Sequence, residues 1–479
     1  MNNKLAQYAV FLSSIVLLVT LTSCGDDKMK VSRASDYPIL QMSNFDADGG
    51  QWPTILLGSP AEISVLPPDA TDSPSYLAEI ELSKEVVGKR DYAQTCSINY
   101  WASGSVLRWN EIARELISKT KTTPPFAARV LSLLTVTQYD ALVVTWYYKY
   151  KYRRPSPASA GVESMLPAVN FPSYPSEDAV IAATSYEILK AIFPSEKHYL
   201  YQKALEDGNC RLWAGANTKS DILAGGKLGG DVAKLVLAKT IGDNNLIEEN
   251  SKYYWKDDRP PTISGKYLST MSNVATWFDS KSVWDGTTIP SPPSLTSEEF
   301  KKDIDSVRSI SKKRSIVQRS TADFWSDGSV TIVRWNEIAE DLIHPMNYSE
   351  LKTANILQLL NRSIHDAAII SWQAKYKFTV PRPSVVDPTI KTTLETPSAP
   401  SYISGHSTYS NAAATVLRHF FPKNADELND QADKAGLAGV YAGINYFFDH
   451  KAGMQCGNKI GLLAIQEELQ KSKQKRVLR

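Results

Sequence analysis

Several features are scarce in this 479-residue sequence, and each absence narrows what the protein can be. Charge of one sign is not in excess, with 53 basic against 51 acidic residues, so nothing favours a nucleic-acid partner. Cysteine is rare: Cys96, Cys210 and Cys456 lack metal-ligand spacing, so no metal site is predicted, although two of them could pair in an oxidising compartment. No long alternating apolar run indicates a β-sheet.

The first residues have the pattern of a bacterial targeting segment. Lys4 precedes an apolar run from Val10 to Leu21, and "LTSC" then ends at Cys24. Small residues before such a cysteine resemble a lipobox, so we expect residues 1–23 to be a signal peptide and Cys24 to be acylated. The alternative is a single membrane anchor, but the run is short for one. The sequence thus predicts a lipid-anchored protein of the cell envelope, in the outer membrane and on its periplasmic or surface side.

The remaining chain repeats its own pattern in order. The paired segments are "YWASGSVLRWNEIARELI" (100–117) with "FWSDGSVTIVRWNEIAEDLI" (324–343), "YDALVVTWYYKYK" (139–151) with "HDAAIISWQAKYK" (365–377), "PSYPSEDAVIAATSYEILKAIFP" (172–194) with "PSYISGHSTYSNAAATVLRHFFP" (400–422), and "LWAGANTKSDILAGGKLG" (212–229) with "VYAGINYFFDHKAGMQCG" (440–457). So many matches in one order indicate an internal duplication.

Apolar residues recur at three-to-four spacing in most of these segments, which is typical of helices. We therefore predict an all-α fold of two pseudo-symmetric helical bundles. The first half covers residues 97–240 and the second half residues 320–470. Residues 24–96 look like an extended tether that wraps over the bundles, 241–319 form a crossover connector, and 471–479 are a basic tail. Within the connector, "SEEFKKDIDSVRSI" has a capping-box start and predicts a helix.

The second half carries a set of residues suited to binding a tetrahedral oxyanion. Lys375 is followed by Arg382, and Ser404, Gly405 and His406 stand at the start of a predicted helix. Arg offers a bidentate fork, Lys a point charge and the helix end backbone donors. The alternative interpretation of the Ser-Gly-His turn is a plain helix N-cap with an incidental histidine.

This arrangement, Lys-x6-Arg-Pro followed by Ser-Gly-His, resembles the signature of the type 2 phosphatidic acid phosphatase and vanadium-dependent haloperoxidase superfamily. The resemblance covers about residues 95–470 and is greatest to the all-helical, duplicated bacterial haloperoxidase-like branch. It implies that the five residues above bind phosphate or vanadate and that His406 is the general acid–base group. It also implies a small oxyanion or phosphorylated molecule as partner. One departure is Ile403, where the family usually has Pro.

The third motif of that family, Ser-Arg-x5-His-x3-Asp, is degenerate here. Its His is the nucleophile of the phosphatases and the metal ligand of the haloperoxidases. Gly439 stands where the Arg is expected and Asn445 where the His is expected, while Asp449 remains. An Asn amide has no basic nitrogen with which to attack phosphorus or ligate vanadium. Loss of a nucleophile typically costs roughly 10⁴-fold in rate.

The first half departs from the same motifs differently. Asp178 stands at the acid–base position and Asn217 at the nucleophile position, although Arg211 and Asp221 are kept. We also weighed His365 and His450 as substitutes, and helical geometry places neither of them in the same pocket.

Three functions stay open on the sequence. The first is a degenerate relative that binds phosphate-like oxyanions with weak or no turnover, in which Asp449 and His406 are the surviving catalytic-type residues. The second is an active phosphomonoesterase or haloperoxidase with altered chemistry. The third is a structural surface lipoprotein.

Overall fold

Helices form the regular secondary structure of the part of the chain that the structure describes. A computed structural model describes residues 37–42, 45–120, 123–167, 169–240, 274–278, 289–325, 328–397 and 399–477. The helices before the crossover are α1 (Pro74–Gly88), α2 (Tyr92–Trp101), α3 (Ser105–Thr120), α4 (Pro124–Tyr152), α5 (Glu177–Ile192), α6 (Lys197–Trp213) and α7 (Lys219–Thr240). Those after it are α8 (Glu298–Lys313), α9 (Ile316–Phe324), α10 (Gly328–Ile343), α11 (Glu350–Phe378), α12 (Pro383–Val386), α13 (Gly405–Phe420), α14 (Ala425–Ala442) and α15 (Phe447–Val477).

The all-α prediction is therefore confirmed, with no strand among these residues. The two halves have helices in the same order, and several have equal lengths: α3 and α10 have 16 residues each, and α4 and α11 have 29 each. The duplication itself stays a prediction. The lipobox and Cys24 lie outside the described residues.

The centre of the fold is the contact between α4 and α11, whose residues are nearly all buried. Residues 124–160, which include α4, are long and apolar enough to cross a membrane, but their apolar window is entirely buried in the protein, as in the core helix of a soluble fold. On either side, α5 packs on α7 and α13 packs on α15. Glycine permits the second of these contacts, because a Cβ on Gly457 would lie 2.3 Å from the backbone oxygen of Thr408.

Two buried carboxylates fasten the connecting segments to the central helices. Asp140 in α4 accepts hydrogen bonds from the backbone N–H groups of Ile55, Leu56 and Leu57, at 2.7 to 3.1 Å. Asp366 in α11 accepts from Trp277 and Phe278 at 2.8 and 2.9 Å. Charge-assisted bonds of this kind fix irregular backbone against a helix.

The tether and the crossover contain more helix than their Pro and Ser content suggests. The predicted helix of the crossover is confirmed as α8, with Ser297 accepting from the backbone of Phe300. The extended interpretation of residues 24–96 was wrong for α1, which begins with Pro74 at its first position and is capped by Ser73. Proline is compatible with that position because its nitrogen would have no helical partner there.

Candidate functional site

The structure brings the motif residues of the second half together at the N-terminus of α13. Lys375 comes from the last turn of α11, Arg382 from the residue before α12, and Asp449 from the first turn of α15. The loop of residues 399–404 passes between them. Lys375, Arg382 and Asp449 are all buried.

Lys375 directs its ammonium group at the backbone of that loop. Its Nζ donates to the carbonyl oxygens of Pro400, Ser401 and Ile403 at 3.1, 3.0 and 2.7 Å. An ammonium group has three N–H donors, so these bonds use all of them. Burial, together with the nearby Arg382, holds the pKa of Lys375 well below its usual range, and Asp449 opposes the shift.

Arg382 is also engaged by main-chain oxygens. Its Nε donates to Ala399 at 2.8 Å and its Nη1 donates to Ile444 at 2.9 Å. Burial lowers the pKa of Arg382 to about 10, while Asp449, Tyr409 and Tyr446 act in the opposite direction. Both cations thus fasten the loop that leads into α13, and Arg382 also holds Ile444, while Asp449 interacts electrostatically with both.

Asn445 and Asp449 form a hydrogen-bonded clasp with Ser401, a residue that the sequence did not single out. The Nδ2 of Asn445 donates to the backbone oxygen of Ser401 at 3.1 Å and to Asp449 Oδ2 at 2.9 Å. The same Oδ2 accepts from Ser401 Oγ and from the backbone of Tyr446. Burial raises the pKa of Asp449, and these bonds partly offset that rise.

The Ser-Gly-His turn begins α13 and is capped by its own serine. Ser404 Oγ accepts from the backbone of Ser407 at 3.4 Å, and the Ser404 N–H donates to the backbone of Asp449 at 3.1 Å. His406 is half-buried in the first turn. A Cβ on Gly405 would lie 2.5 Å from the hydroxyl of Tyr409, so that hydroxyl occupies the space beside the glycine. Tyr409 follows Gly405 by four residues, which puts both on one helix face.

Gly439 and Asn445 are sterically linked. A Cβ on Gly439 would lie 2.5 Å from Asn445 Oδ1, a distance that real Cβ atoms do not reach. The Asn445 N–H in turn donates to the backbone oxygen of Gly439 at 3.1 Å. Gly439 thus leaves the space that Asn445 Oδ1 occupies. In the first half, Arg211 and Asn217 stand at the equivalent positions, and Arg211 Nε donates to Asn217 Oδ1.

The first half contains the same clasp. Asn217 Nδ2 donates to the backbone oxygen of Ser173 at 3.0 Å and lies 3.4 Å from Asp221 Oδ2. Lys149 Nζ donates to the carbonyl oxygens of Pro172 and Ser173 at 2.7 and 3.2 Å. Arg154 donates to Glu79, Thr218 and Ser220.

Acidic side chains distinguish the first half from the second. Asp178, which stands where the second half has His406, lies 3.4 Å from Arg211 Nε. Arg211 Nε also donates to Asn217 Oδ1 at 3.4 Å. Glu177 is buried beside Lys149 and Arg211, and burial raises the pKa of this carboxyl. Burial also raises the pKa of Asp207 well above its usual range, and Asp178 adds to the shift.

The two substitute histidines are engaged elsewhere. His365 Nδ1 lies 3.1 Å from Asp366 Oδ1, at the point where α11 holds Trp277. His450 Nδ1 lies 2.9 Å from Ser407 Oγ, and burial lowers its pKa. Cys96, Cys210 and Cys456 are free thiols, so the structure does not pair any two of them.

Comparison with solved structures identifies the fold. A bacterial vanadium-dependent iodoperoxidase aligns with a TM-score of 0.59 and 20% identity, over 76% of this chain and 95% of its own. A bacterial vanadium-dependent chloroperoxidase aligns with a TM-score of 0.52 and 12% identity in both its apo and holo forms, over 72% and 74% of this chain and 93% and 94% of theirs. No protein-family model and no curated protein sequence matches the chain.

The order of the helices, the position of the loop of residues 399–404 and these alignments all indicate the same fold. The chain has the all-α fold of the vanadium-dependent haloperoxidases, which belong to the superfamily that its sequence motifs resemble.

Proposed function

We propose that this protein keeps the haloperoxidase fold without its turnover, and that its second half binds phosphate-like oxyanions weakly. The observation that carries the proposal is the clasp at Asn445. The amide nitrogen at the nucleophile position donates hydrogen bonds to Ser401 and Asp449, and it has no lone pair to offer an electrophile.

Vanadate held by a protein nitrogen does not fit these residues. Asn445 cannot ligate the metal, and the three N–H donors of Lys375 point at backbone oxygens rather than at a cavity. We therefore derive no oxidation or phosphoryl-transfer step through this site. An active enzyme with altered chemistry would need another nucleophile, and neither His365 nor His450 is placed to supply one.

Weak anion binding is favoured by the local charge. Lys375 and Arg382 lie beside Asp449 at the N-terminus of α13. Asp303 accepts from two backbone N–H groups at the start of α15. First-turn N–H groups carry partial positive charge and attract anions. Because burial lowers the pKa of Lys375 and its three donors are already used, we expect a Kd in the millimolar range, about 4 kcal/mol of binding free energy.

The second candidate is a purely structural surface lipoprotein. The observation in its favour is that Lys375 and Arg382 donate to backbone oxygens and so hold residues 399–403 and Ile444 in place. In that case Lys375 and Arg382 stabilise the fold and bind no ligand.

Calorimetric titration of the full chain in detergent, with phosphate and with orthovanadate, distinguishes the two candidates. We expect weak saturable binding that is lost in Arg382→Gln and kept in Arg154→Gln, because Arg154 is neutralised by Glu79 at 3.1 Å. Absence of binding in the wild type would leave the structural candidate. Turnover of an aryl phosphate, or peroxide-dependent halide oxidation, by the wild type would contradict both.

A double substitution tests whether the missing residues alone explain the expected inactivity. Asn445→His combined with Gly439→Arg restores the third motif. The two changes must be made together, because a side chain at 439 collides with the Asn445 carbonyl oxygen. Activity in the folded double variant would show that the pocket geometry survives, and inactivity would show that the site departs from the family geometry beyond its third motif.

The envelope location is a separate proposal that rests on the sequence "LTSC". We propose that Cys24 carries a lipid that attaches the protein to the outer membrane. Labelling with a fatty-acid analogue should mark the wild type and Cys96→Ala but not Cys24→Ala. Label retained in Cys24→Ala would refute the anchor.

A further inference from the structure

A buried cluster in the first half combines carboxylates and a thiol. Asp178 from α5 meets Asp207 and Cys210, which lie one turn apart on α6. One candidate ligand atom from each residue, two carboxylate oxygens and Sγ, lies within 4.8 Å of the other two, and all three residues are buried. Spacing along the chain does not reveal this cluster, because Asp178 comes from a different helix.

One atom of the cluster lacks the partner that its burial demands. Asp207 is fully buried, and its Oδ2 accepts from Ser105 Oγ at 2.6 Å and from Trp109 Nε1 at 2.7 Å. Its Oδ1 has no hydrogen-bond partner among the described residues. A buried carboxylate oxygen without a donor is costly, so a ligand at this position would stabilise the fold.

The charge around the cluster points to a cation. Four carboxylates, those of Asp178, Asp207, Glu177 and Glu350, interact across this buried region. Arg211 and Lys149 supply two positive charges. The carboxylates outnumber the cations in this buried region, and a divalent cation would offset part of the cost of burying them.

We propose that Asp178, Asp207 and Cys210 bind one divalent transition metal of the zinc class. A thiolate selects such ions over magnesium and calcium, and carboxylate oxygens complete the set. Ligand atoms around tetrahedral zinc lie about 3.5 Å apart, so side chains whose ligand atoms lie within 4.8 Å of one another need to close by about 1.3 Å at most. The thiol of Cys210 releases its proton to solvent as the sulfur–metal bond forms.

Arg211 is partly exposed and contacts the buried cluster through Asp178. Arg211 Nε lies 3.4 Å from Asp178 Oδ2, and its side chain is 18% exposed. A carboxylate can hold the guanidinium with one oxygen and a metal with the other. Three protein ligands leave a fourth position for water.

Zinc titration tests the proposal on the full chain, stripped with a chelator and kept reduced. We expect one zinc per chain by elemental analysis, and no competition from excess magnesium. Cys210→Ser and Asp207→Asn should each bind zinc at least about 100-fold more weakly, as loss of a metal contact does. Cys456→Ser is the matched control, since Cys456 is a buried free thiol in the second half, and it should bind as the wild type does.

Cobalt substitution provides a readout that does not depend on the stability of a variant. Cobalt in the wild type and in Cys456→Ser should give a thiolate-to-cobalt charge-transfer band, together with release of a proton. Absence of stoichiometric zinc binding by the wild type would overturn the site and favour a proton shared between Asp178 and Asp207. Tight binding without the thiolate band would equally overturn the assignment of Cys210.

Discussion

Replacing Asn445 by Asp tests the clasp without changing the size of the side chain. The amide nitrogen that now donates to Asp449 Oδ2 at 2.9 Å becomes an oxygen. Two carboxyl groups then face each other about 3 Å apart in a buried site, and two carboxylates at that distance do not both ionise, so one pKa is strongly raised. The bond to the backbone oxygen of Ser401, now 3.1 Å long, is also lost when the new group is ionised.

The cost follows from two contributions. Loss of an amide donor to a carboxylate costs about 1.5–3 kcal/mol. A pKa raised by two units adds about 3 kcal/mol once the pH exceeds the raised value. Because the folded state then binds more protons than the unfolded state, stability falls as the pH rises above the ordinary carboxyl pKa. We expect a loss of about 4–6 kcal/mol at pH 8 and about 1–3 kcal/mol at pH 4.5.

Asn217→Asp is the matched control in the first half. Asn217 Oδ1 lies 3.4 Å from Arg211 Nε, so a carboxylate there contacts a guanidinium that Asp178 shares. In the second half, the bonds of Lys375 and Arg382 all go to backbone oxygens, and Gly439 offers no cation. The cost of Asn217→Asp at pH 8 should be smaller by at least about 1 kcal/mol. Urea unfolding monitored by circular dichroism at four pH values measures both variants. Equal destabilisation at every pH, or a costlier Asn217→Asp, would refute the argument.

Three further perturbations follow from the same contacts. Gly439→Ala should lower the free energy of unfolding by about 1–3 kcal/mol, because its Cβ would collide with Asn445. Gly226→Ala is the control and should not destabilise the protein, because its Cβ would meet nothing within 4 Å. Equal melting temperatures for the two variants would contradict this. Asp140→Asn should cost about 1.5–3 kcal/mol and speed proteolysis near residue 55, and unchanged cleavage would contradict the role of that carboxylate. Burial raises the pKa of Glu340 to about 7, so the free energy of unfolding should fall by about 3 kcal/mol as the pH rises from about 4.5 to 7. This fall should vanish in Glu340→Gln. A fall that persists in that variant would belong to another group.

The fold could be predicted because apolar residues recur along its helices at the three-to-four spacing of a buried helix face. The segments "WNEIARELI" and "WNEIAEDLI" fall within α3 and α10, and Trp109 and Trp335 are fully buried there. Helix α1 was not predicted, because Pro and Ser dominate its surroundings. The available signal was local: Ser73 before Pro74 is an N-cap followed by a proline at the first helical position.

The site could be predicted only as a set of positions. The family resemblance implied that Lys375, Arg382 and Asp449 share one site, and their bonds to residues 399–404 bring them to one helix end. Nothing in the sequence indicated that Lys375 donates to backbone oxygens within residues 400–403. Every residue has a backbone carbonyl, so the sequence does not show which of them a side chain bonds. Tyr409 was predictable in principle, since a residue four positions after Gly405 faces the same side of the helix.

The two halves differ in the charged residues at their equivalent positions. This difference links the proposed anion site of the second half to the proposed metal site of the first half. The second half keeps Gly405 and His406 but has Gly439 in place of an arginine, and its buried cations are Lys375 and Arg382. The first half keeps Arg211 but places Glu177 and Asp178 where the second half has Gly405 and His406. Those carboxylates sit beside Lys149 and Arg211, where they neutralise the charge that would attract an oxyanion. Because Asp207 adds a further buried carboxylate, the first half is suited to a cation, while the second keeps Lys375 and Arg382 beside the N-terminus of α13, which favours an anion.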